Sequence, residues 1–168
     1  MKLTGRTLTL RGTMEPFLAN GDYFSENILD YANVLDINKA WRLRWCEVWF
    51  VESPPRTTPS TGQENSLEVI LSTELPSPVE NRADDNRLIT WINQCYSAGG
   101  KAVGSNAHGM LNEQVVVDPD HIIQKELNIS MKYLGGSAFE SQLIQTNYIV
   151  YLEEVEITAI ESLSLIHI

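Results

Sequence analysis

Hydrophobic and polar residues alternate over several short stretches of the chain, with the two-residue period of half-buried β-strands. In residues 41–51, Trp41, Trp45 and Trp49 fall on one face of such a strand, so we expect core packing or a buried subunit contact for them. After Cys46 both faces are apolar, which is typical of a strand that runs into a core between two sheets. The predicted strands cover residues 2–11, 41–51, 67–73, 87–95, 113–117, 123–133 and 147–157.

The last two strands have the clearest alternation. In the first of them one face carries Ile123, Leu127, Ile129, Met131 and Tyr133. In the second, the apolar face carries Ile149, Tyr151, Val155 and Ile157, with Glu154 and Glu156 opposite. Such half-exposed strands are typical of antiparallel sheets, not of the uniformly apolar strands of a parallel α/β sheet.

One segment favours a helix. Residues 25–40 have Ser25 as a possible N-cap and Ile28, Tyr31 and Leu35 at helical spacing. Residues 87–95 fit a strand or a short helix. The chain is therefore predicted to be all-β, an antiparallel β-sandwich or barrel with at most one or two short helices. Long polar connections at residues 52–66, 74–86 and 96–112 are the expected interaction loops.

Composition narrows the class of protein. The 168 residues (18.9 kDa) suit one domain, and 43% hydrophobic with 20% charged residues is ordinary for a packed protein. The net charge of −10 argues against a dominant basic face and against binding to anionic membranes. No apolar run approaches the ~18 residues of a membrane span, and the N-terminus lacks a signal-peptide pattern, so we expect a protein that is not secreted.

The charge is uneven along the chain. The first fourteen residues contain Lys2, Arg6 and Arg11 and no acidic residue, so this segment is the one best suited to contact nucleic acid. The alternative is a strand with a few solvated basic side chains. Two cysteines without CxxC spacing, Cys46 and Cys95, are expected to be buried free thiols.

The C-terminus has an unusual feature. Residues 163–168, LSLIHI, are what CTG TCT CTT ATA CAC ATC encodes, a string that resembles a transposon mosaic-end adapter used in sequencing libraries. We therefore expect one β-sandwich domain over residues 1–162 and treat residues 163–168 as adapter read-through.

Catalytic patterns are weak. The imidazoles are His108, His121 and His167, and no GxSxG motif accompanies them. The glycine-rich segment 99–105 has its lysine in the wrong order for a phosphate loop. We predict a protein that is not an enzyme and that needs no cofactor.

Two acidic clusters have more than one interpretation. Asp118, Asp120 and His121, in the sequence Asp-Pro-Asp-His, are weak candidates for metal ligands, but the same residues form a good tight turn. Residues 84–86, Asp-Asp-Asn, are open to a calcium site or a turn. A turn is favoured in both places, and no metal is predicted.

The segments VVVDPDHIIQKELNISMKY (115–133) and NYIVYLEEVEIT (147–158) resemble two late strands of single jelly-roll coat proteins from small circular single-stranded DNA viruses known from environmental sequences. The resemblance implies eight strands in two sheets, self-assembly of identical copies into a closed shell, and location in the virion after synthesis inside the host cell. Lys2, Arg6 and Arg11 would then face packaged nucleic acid. The chain lacks the long arginine-rich arm of many such proteins, which puts genome binding in question.

Two other functions fit an antiparallel sandwich. A carbohydrate-binding module would use Trp and Tyr side chains, with or without calcium. An enzyme on a cupin-like barrel would need a group of metal-binding histidines that the sequence does not supply.

Overall fold

The structure, a computed structural model, describes residues 1–15, 23–30, 38–51, 64–74, 84–97, 110–116, 118, 120–134 and 145–158. All regular secondary structure in these ranges is β-strand. The nine strands are β1 Lys2–Met14, β2 Tyr23–Asp30, β3 Lys39–Phe50, β4 Glu64–Ser72, β5 Leu88–Ser97, β6 Met110–Val116, β7 Ile122–Ile123, β8 Glu126–Leu134 and β9 Thr146–Glu156.

These strands form two antiparallel sheets. One has four strands in the order β1-β9-β3-β7, and the other has five in the order β2-β8-β4-β5-β6. Successive strands alternate between the sheets from β1 to β4 and from β6 to β9, whereas β4, β5 and β6 follow one another in the five-stranded sheet. As a result β1 pairs with β9, β2 with β8, β3 with β7 and β4 with β5. This is a ribbon of paired strands wrapped into a sandwich, the jelly-roll topology, with β6 as an additional edge strand. The predicted fold class is confirmed.

The sheets enclose one main hydrophobic core. Fully buried aliphatic side chains from both sheets meet there, and each contributes roughly 1.5–3 kcal/mol relative to an exposed position. The largest buried members of this core are Met14, Leu71, Ile89, Ile123, Leu127, Ile129, Met131 and Leu152. Four of them, from Ile123 to Met131, confirm the inward face predicted for residues 123–133, although a bend at residues 124–125 divides that stretch into β7 and β8.

Strand β3 contains a β-bulge that changes which of its residues face the core. Leu43 pairs with Leu152 and Trp45 pairs with the next residue of β9, Tyr151. Arg44 is therefore one extra residue on β3 with no partner in the register.

The bulge separates the tryptophans. Trp41, before it, is buried, whereas Trp45 and Trp49, after it, are 49% and 38% exposed. The predicted common face for these three residues is wrong, because the alternation has period two and one extra residue reverses it. Cys46 and Val48 take the inward positions instead.

The face predicted for β9 is also partly wrong. Val155 and Ile157 are buried as expected, but Ile149 and Tyr151 lie on the outer face and Glu154 is buried. The inward residues are Tyr148, Val150, Leu152 and Glu154. Residues 148–152 are apolar at every position, so the sequence pattern did not distinguish the two faces there.

Buried Glu154 is accommodated by an irregularity in β1. The register shifts between Leu3, opposite Val155, and Thr7, opposite Glu153, so three residues of β1 lie opposite Glu154. The middle one, Gly5, has φ of 86°, a conformation that costs a residue with a side chain roughly 1–2 kcal/mol.

The irregular segment of β1 supplies the partners of the Glu154 carboxylate. Thr4 donates its hydroxyl hydrogen to Oε2 at 2.8 Å, and Arg6 donates from Nη1 to Oε1 at 3.2 Å. A carboxylate that loses its solvent must be paired, and both partners come from the irregular segment.

The predicted helix over residues 25–40 is wrong in the described part of that range. Ser25 begins no helix, because β2 continues to Asp30 along β8, and the chain is again β-strand from Lys39. The Ser25 and Ser130 hydroxyls lie 2.8 Å apart, and Asn27 donates to the side chain of Asn128 at 3.1 Å. These cross-strand contacts outweigh the local helical spacing.

The remaining strand predictions are confirmed, with boundaries shifted by a few residues, and residues 88–97 form a strand. Within the described ranges no helix is long and apolar enough to cross a membrane. Most residues of the predicted loops 52–66, 74–86 and 96–112 lie outside the described ranges. Two of these loops are shorter than predicted, because β4 already begins at residue 64 and β5 continues to residue 97.

Deleting Arg44 should remove the bulge and exchange the two faces of β3 beyond it, which buries Trp45 and exposes Cys46. We expect loss of the cooperative unfolding transition, measured in urea by circular dichroism and tryptophan fluorescence. The matched control, Arg44→Ala, keeps the residue count and should change the free energy of unfolding by less than about 0.5 kcal/mol. A deletion variant with the wild-type midpoint would contradict this account of β3.

The Glu154 contact gives a second expectation. Arg6→Gln removes the charged partner of a buried carboxylate and should lower the free energy of unfolding by about 1 kcal/mol, a modest value because the Arg6 side chain is 70% exposed. Arg11→Gln, on the same strand, should have less than half that effect. Equal urea midpoints for the two variants would show that the contact does not stabilise β1.

Candidate functional site

The structure separates the three basic residues at the N-terminus. Lys2 is opposite Glu156 at one end of β1, and Arg6 forms an ion pair with Glu154. Arg11 is exposed near the other end, opposite Ile149. They do not form one cluster, and their contact with nucleic acid stays a prediction.

Residues around the Asp-Pro-Asp-His motif form a turn. The backbone N–H of His121 donates to the Asp118 carbonyl at 3.3 Å, and the Asp120 N–H donates to Asp118 Oδ1 at 3.0 Å. Asp120 Oδ1 accepts a hydrogen bond from Arg42 Nη1 at 3.0 Å. Among the described residues, no group of three or more His, Cys, Asp or Glu side chains is placed to hold a metal ion.

His121 is partly buried in this turn. Burial lowers its pKa, and the nearby charge of Asp118 only partly opposes that effect. The imidazole is therefore neutral at neutral pH, and its 3.7 Å separation from Asp118 Oδ2 is not an ion pair there.

Sequence reasoning missed a charge cluster beside this turn. Arg42 donates from Nε to Glu153 Oε1 at 2.8 Å and also binds Asp120, so its guanidinium joins β3, β9 and the turn before β7. The hydrogen bond to Glu153 is the main cause of a raised Arg42 pKa. Arg42 and Glu153 are direct partners in the β3–β9 register, which no local pattern in the sequence reveals.

The second acidic cluster is also a turn. Asp85 accepts hydrogen bonds from Arg87 Nε at 2.8 Å and from the Arg87 N–H at 3.0 Å, and its carbonyl accepts from the Leu88 N–H at 3.1 Å. The side-chain hydrogen bond to Asp85 raises the Arg87 pKa. The carboxylate of Asp85 thus orients the start of β5.

Three of the positions considered for catalysis or phosphate binding, His108, residues 99–105 and His167, lie outside the described residues. Asn128, the acceptor of an Asn-Ile-Ser glycosylation sequence, is fully buried between β2 and β4. A glycan on it is incompatible with the folded sheet.

Among the residues that the structure describes, the most exposed cluster of aromatic side chains lies on the outer surface of the four-stranded sheet. We call it the outer aromatic face, made of Trp45, Trp49, Tyr151 and Ile149 on strands β3 and β9. Trp45 and Tyr151 are directly opposite each other in the register, and Tyr151 is 37% exposed. The other tryptophans with described side chains differ, since Trp41 is buried and Trp91 half-buried.

The two sheets differ in charge. Strands of the four-stranded sheet carry six basic and four acidic residues, a net charge of +2. Strands of the five-stranded sheet carry one basic and six acidic residues, a net charge of −5. The net charge of −10 for the whole chain therefore conceals one weakly basic sheet.

Comparisons with known proteins give a fold likeness. No protein-family model matches the chain, and no curated protein matches its sequence. The structure of apo chimpanzee polyomavirus VP1 is similar at a TM-score of 0.50 and 8% identity, over 94% of this chain and 98% of that one. Turnip yellow mosaic virus matches at 13% identity over 92% of this chain and 96% of that one, but with a TM-score of 0.32, too low to carry an argument. These identities show the fold alone.

The prediction of a buried free thiol is confirmed for Cys46, whereas the side chain of Cys95 lies outside the described residues. Burial raises the pKa of Cys46 to about 12, from 9.0 for a free thiol. Folding thus favours the neutral thiol, so the stabilising effect is complete below about pH 9 and is lost as the pH rises towards about 12.

Cys46→Val should remove that part of the alkaline loss of stability. The difference in urea midpoint between wild type and variant, both in a Cys95→Ser background, should be constant up to about pH 9 and then shift in favour of the variant. A difference that does not change between pH 8 and 11 would contradict the burial effect on Cys46.

Proposed function

We propose that this chain is a structural protein, not an enzyme, that assembles with copies of itself into a viral capsid shell. The wrapped-ribbon jelly roll carries the proposal, supported by the fold likeness to a polyomavirus protein over nearly the whole chain. The finer assignment, a coat protein of a small circular single-stranded DNA virus, rests on residues 115–133 and 147–158. These include the two late strands β8 and β9.

The polar groups of the sandwich favour a structural role. The carboxylates of Asp85, Asp120 and Glu154 bind arginines of the same chain, and Asp118 binds the backbone of its own turn. These groups orient strands and turns. Such contacts within one chain suit a shell subunit, whose strands and turns must keep their positions. We propose that the protein is made inside the host cell and is located in the virion.

Edge strands and loops are the proposed contacts between copies. β1 and β7 border one sheet, β2 and β6 the other, and unpaired strand edges readily associate with another chain. On β6, Val116 is 45% exposed, an apolar residue at such an edge. Packaged nucleic acid is proposed to contact Lys2, Arg6 and Arg11 on β1.

A carbohydrate-binding module is the second candidate, favoured by the exposed rings of Trp45, Trp49 and Tyr151. It predicts a monomer that binds sugars. A shell subunit predicts self-association that increases with protein concentration.

Sedimentation velocity and negative-stain microscopy of the full chain test the proposal. We expect uniform closed particles, and Val116→Lys should reduce assembly because it places a charge at an apolar edge. The control, Val116→Thr, keeps shape and strand propensity and should assemble. A homogeneous monomer at all protein and salt concentrations would contradict the capsid function.

A further inference from the structure

The outer aromatic face lies on adjacent strands of the four-stranded sheet. β9 lies between β1 and β3, so Tyr151 has Trp45 on one side and Thr9 on the other. Directly opposite residues in a sheet have Cβ atoms about 4.5–5.5 Å apart, which puts the side chains of Trp45 and Tyr151 at neighbouring positions on the outer face. Trp49 lies four residues further along β3, roughly 13 Å away.

Exposure of these rings requires an explanation. Large aromatic side chains in the interior of a sheet are normally packed, and contiguous exposed apolar patches usually mark a binding surface. The Arg44 bulge is what turns Trp45 and Trp49 outward while Cys46 and Val48 complete the core. The same bulge therefore has two effects: it turns Cys46 and Val48 into the core and Trp45 and Trp49 towards the outer surface.

Two guanidinium groups flank these rings. Arg44 precedes Trp45 and is exposed, and Arg11 is opposite Ile149, diagonal to Tyr151. Within the part of the chain that the structure describes, neither forms an ion pair. They belong to the sheet whose strands carry a charge of +2, whereas the other sheet carries −5.

We propose that the outer aromatic face binds single-stranded nucleic acid, with unpaired bases stacked on Trp45, Tyr151 and Trp49 and phosphates bound by Arg11 and Arg44. Stacking on aromatic rings together with basic side chains is how proteins bind single strands without sequence preference. This inference rests on the proposed function, because a capsid would enclose the nucleic acid that the face binds. It also moves the expected contact from the N-terminal segment alone to a surface shared by β1, β3 and β9.

Charge argues against a second copy on this surface. Two copies that meet through the same face would bring together two surfaces that each carry Arg11 and Arg44 and one carboxylate, Glu47, unpaired among the described residues. A single strand of nucleic acid supplies bases that stack on the rings and phosphates that pair with the two arginines.

The test uses the full chain at low salt and an oligothymidylate of about 12 nucleotides. We expect quenching of tryptophan fluorescence and a rise in the anisotropy of the labelled strand. Trp45→Thr and Tyr151→Thr, which keep strand propensity, should each weaken binding about fivefold or more. The control is Val116→Thr, which changes an exposed apolar residue on β6 and should leave binding unchanged.

The arginines are tested by salt dependence. Arg11→Gln and Arg44→Gln should each reduce the slope of log affinity against log salt by about 0.7, the value for one phosphate contact on a single strand. The control is Lys125→Gln, an exposed basic residue between β7 and β8. A duplex of equal length should bind more weakly, because its bases are not free to stack.

Three outcomes would overturn the inference: absence of binding by the wild type, equal or tighter binding of the duplex, or aromatic variants that change self-association but not oligonucleotide affinity. The last would identify the face as a contact between copies. Particle formation is measured separately, so a wild type that assembles but does not bind the single strand refutes only the nucleic-acid site. A monomer that binds it refutes the shell and leaves the site.

Discussion

The antiparallel pairing of β9 with β1 on one side and β3 on the other is the interaction on which the rest of the structure depends. It joins the last strand to the first and third strands through backbone hydrogen bonds along most of their lengths, and residues from 146 to 156 have a partner on both sides over most of that range. The chain segments between the strands of this sheet supply the second sheet, in which β8 pairs with β2 on one side and β4 on the other. The two inner faces then close over one main core.

Two irregularities in that pairing set the chemistry of the surface. The extra residues of β1 around Gly5 bring Thr4 and Arg6 to Glu154, so a carboxylate can be buried at the end of the sandwich. The single extra residue of β3 reverses its faces and places Trp45 outside and Cys46 inside. In both cases the backbone register, and not the type of side chain, decides what solvent can reach.

The ionic groups of the described sandwich act mainly within it. Arg42 connects two strands and a turn through Glu153 and Asp120, while Asp85 orients Arg87 at the start of β5. The features that remain available to a partner are the edge strands, the exposed aromatic rings and the weakly basic four-stranded sheet. That distribution suits a protein that functions through surfaces, and it agrees with the proposed shell.

The sequence by itself determined the class of fold. Alternation with period two, long polar connections and a turn at Asp-Pro-Asp were sufficient to predict an antiparallel sandwich and most of its strands, because these signals are local. Tertiary structure alone decided which face of β3 and β9 is buried, that residues 23–30 form a strand, and that Arg42 binds Glu153. Each of these depends on the register between strands distant in sequence, and a bulge of one residue changes that register without altering the local pattern.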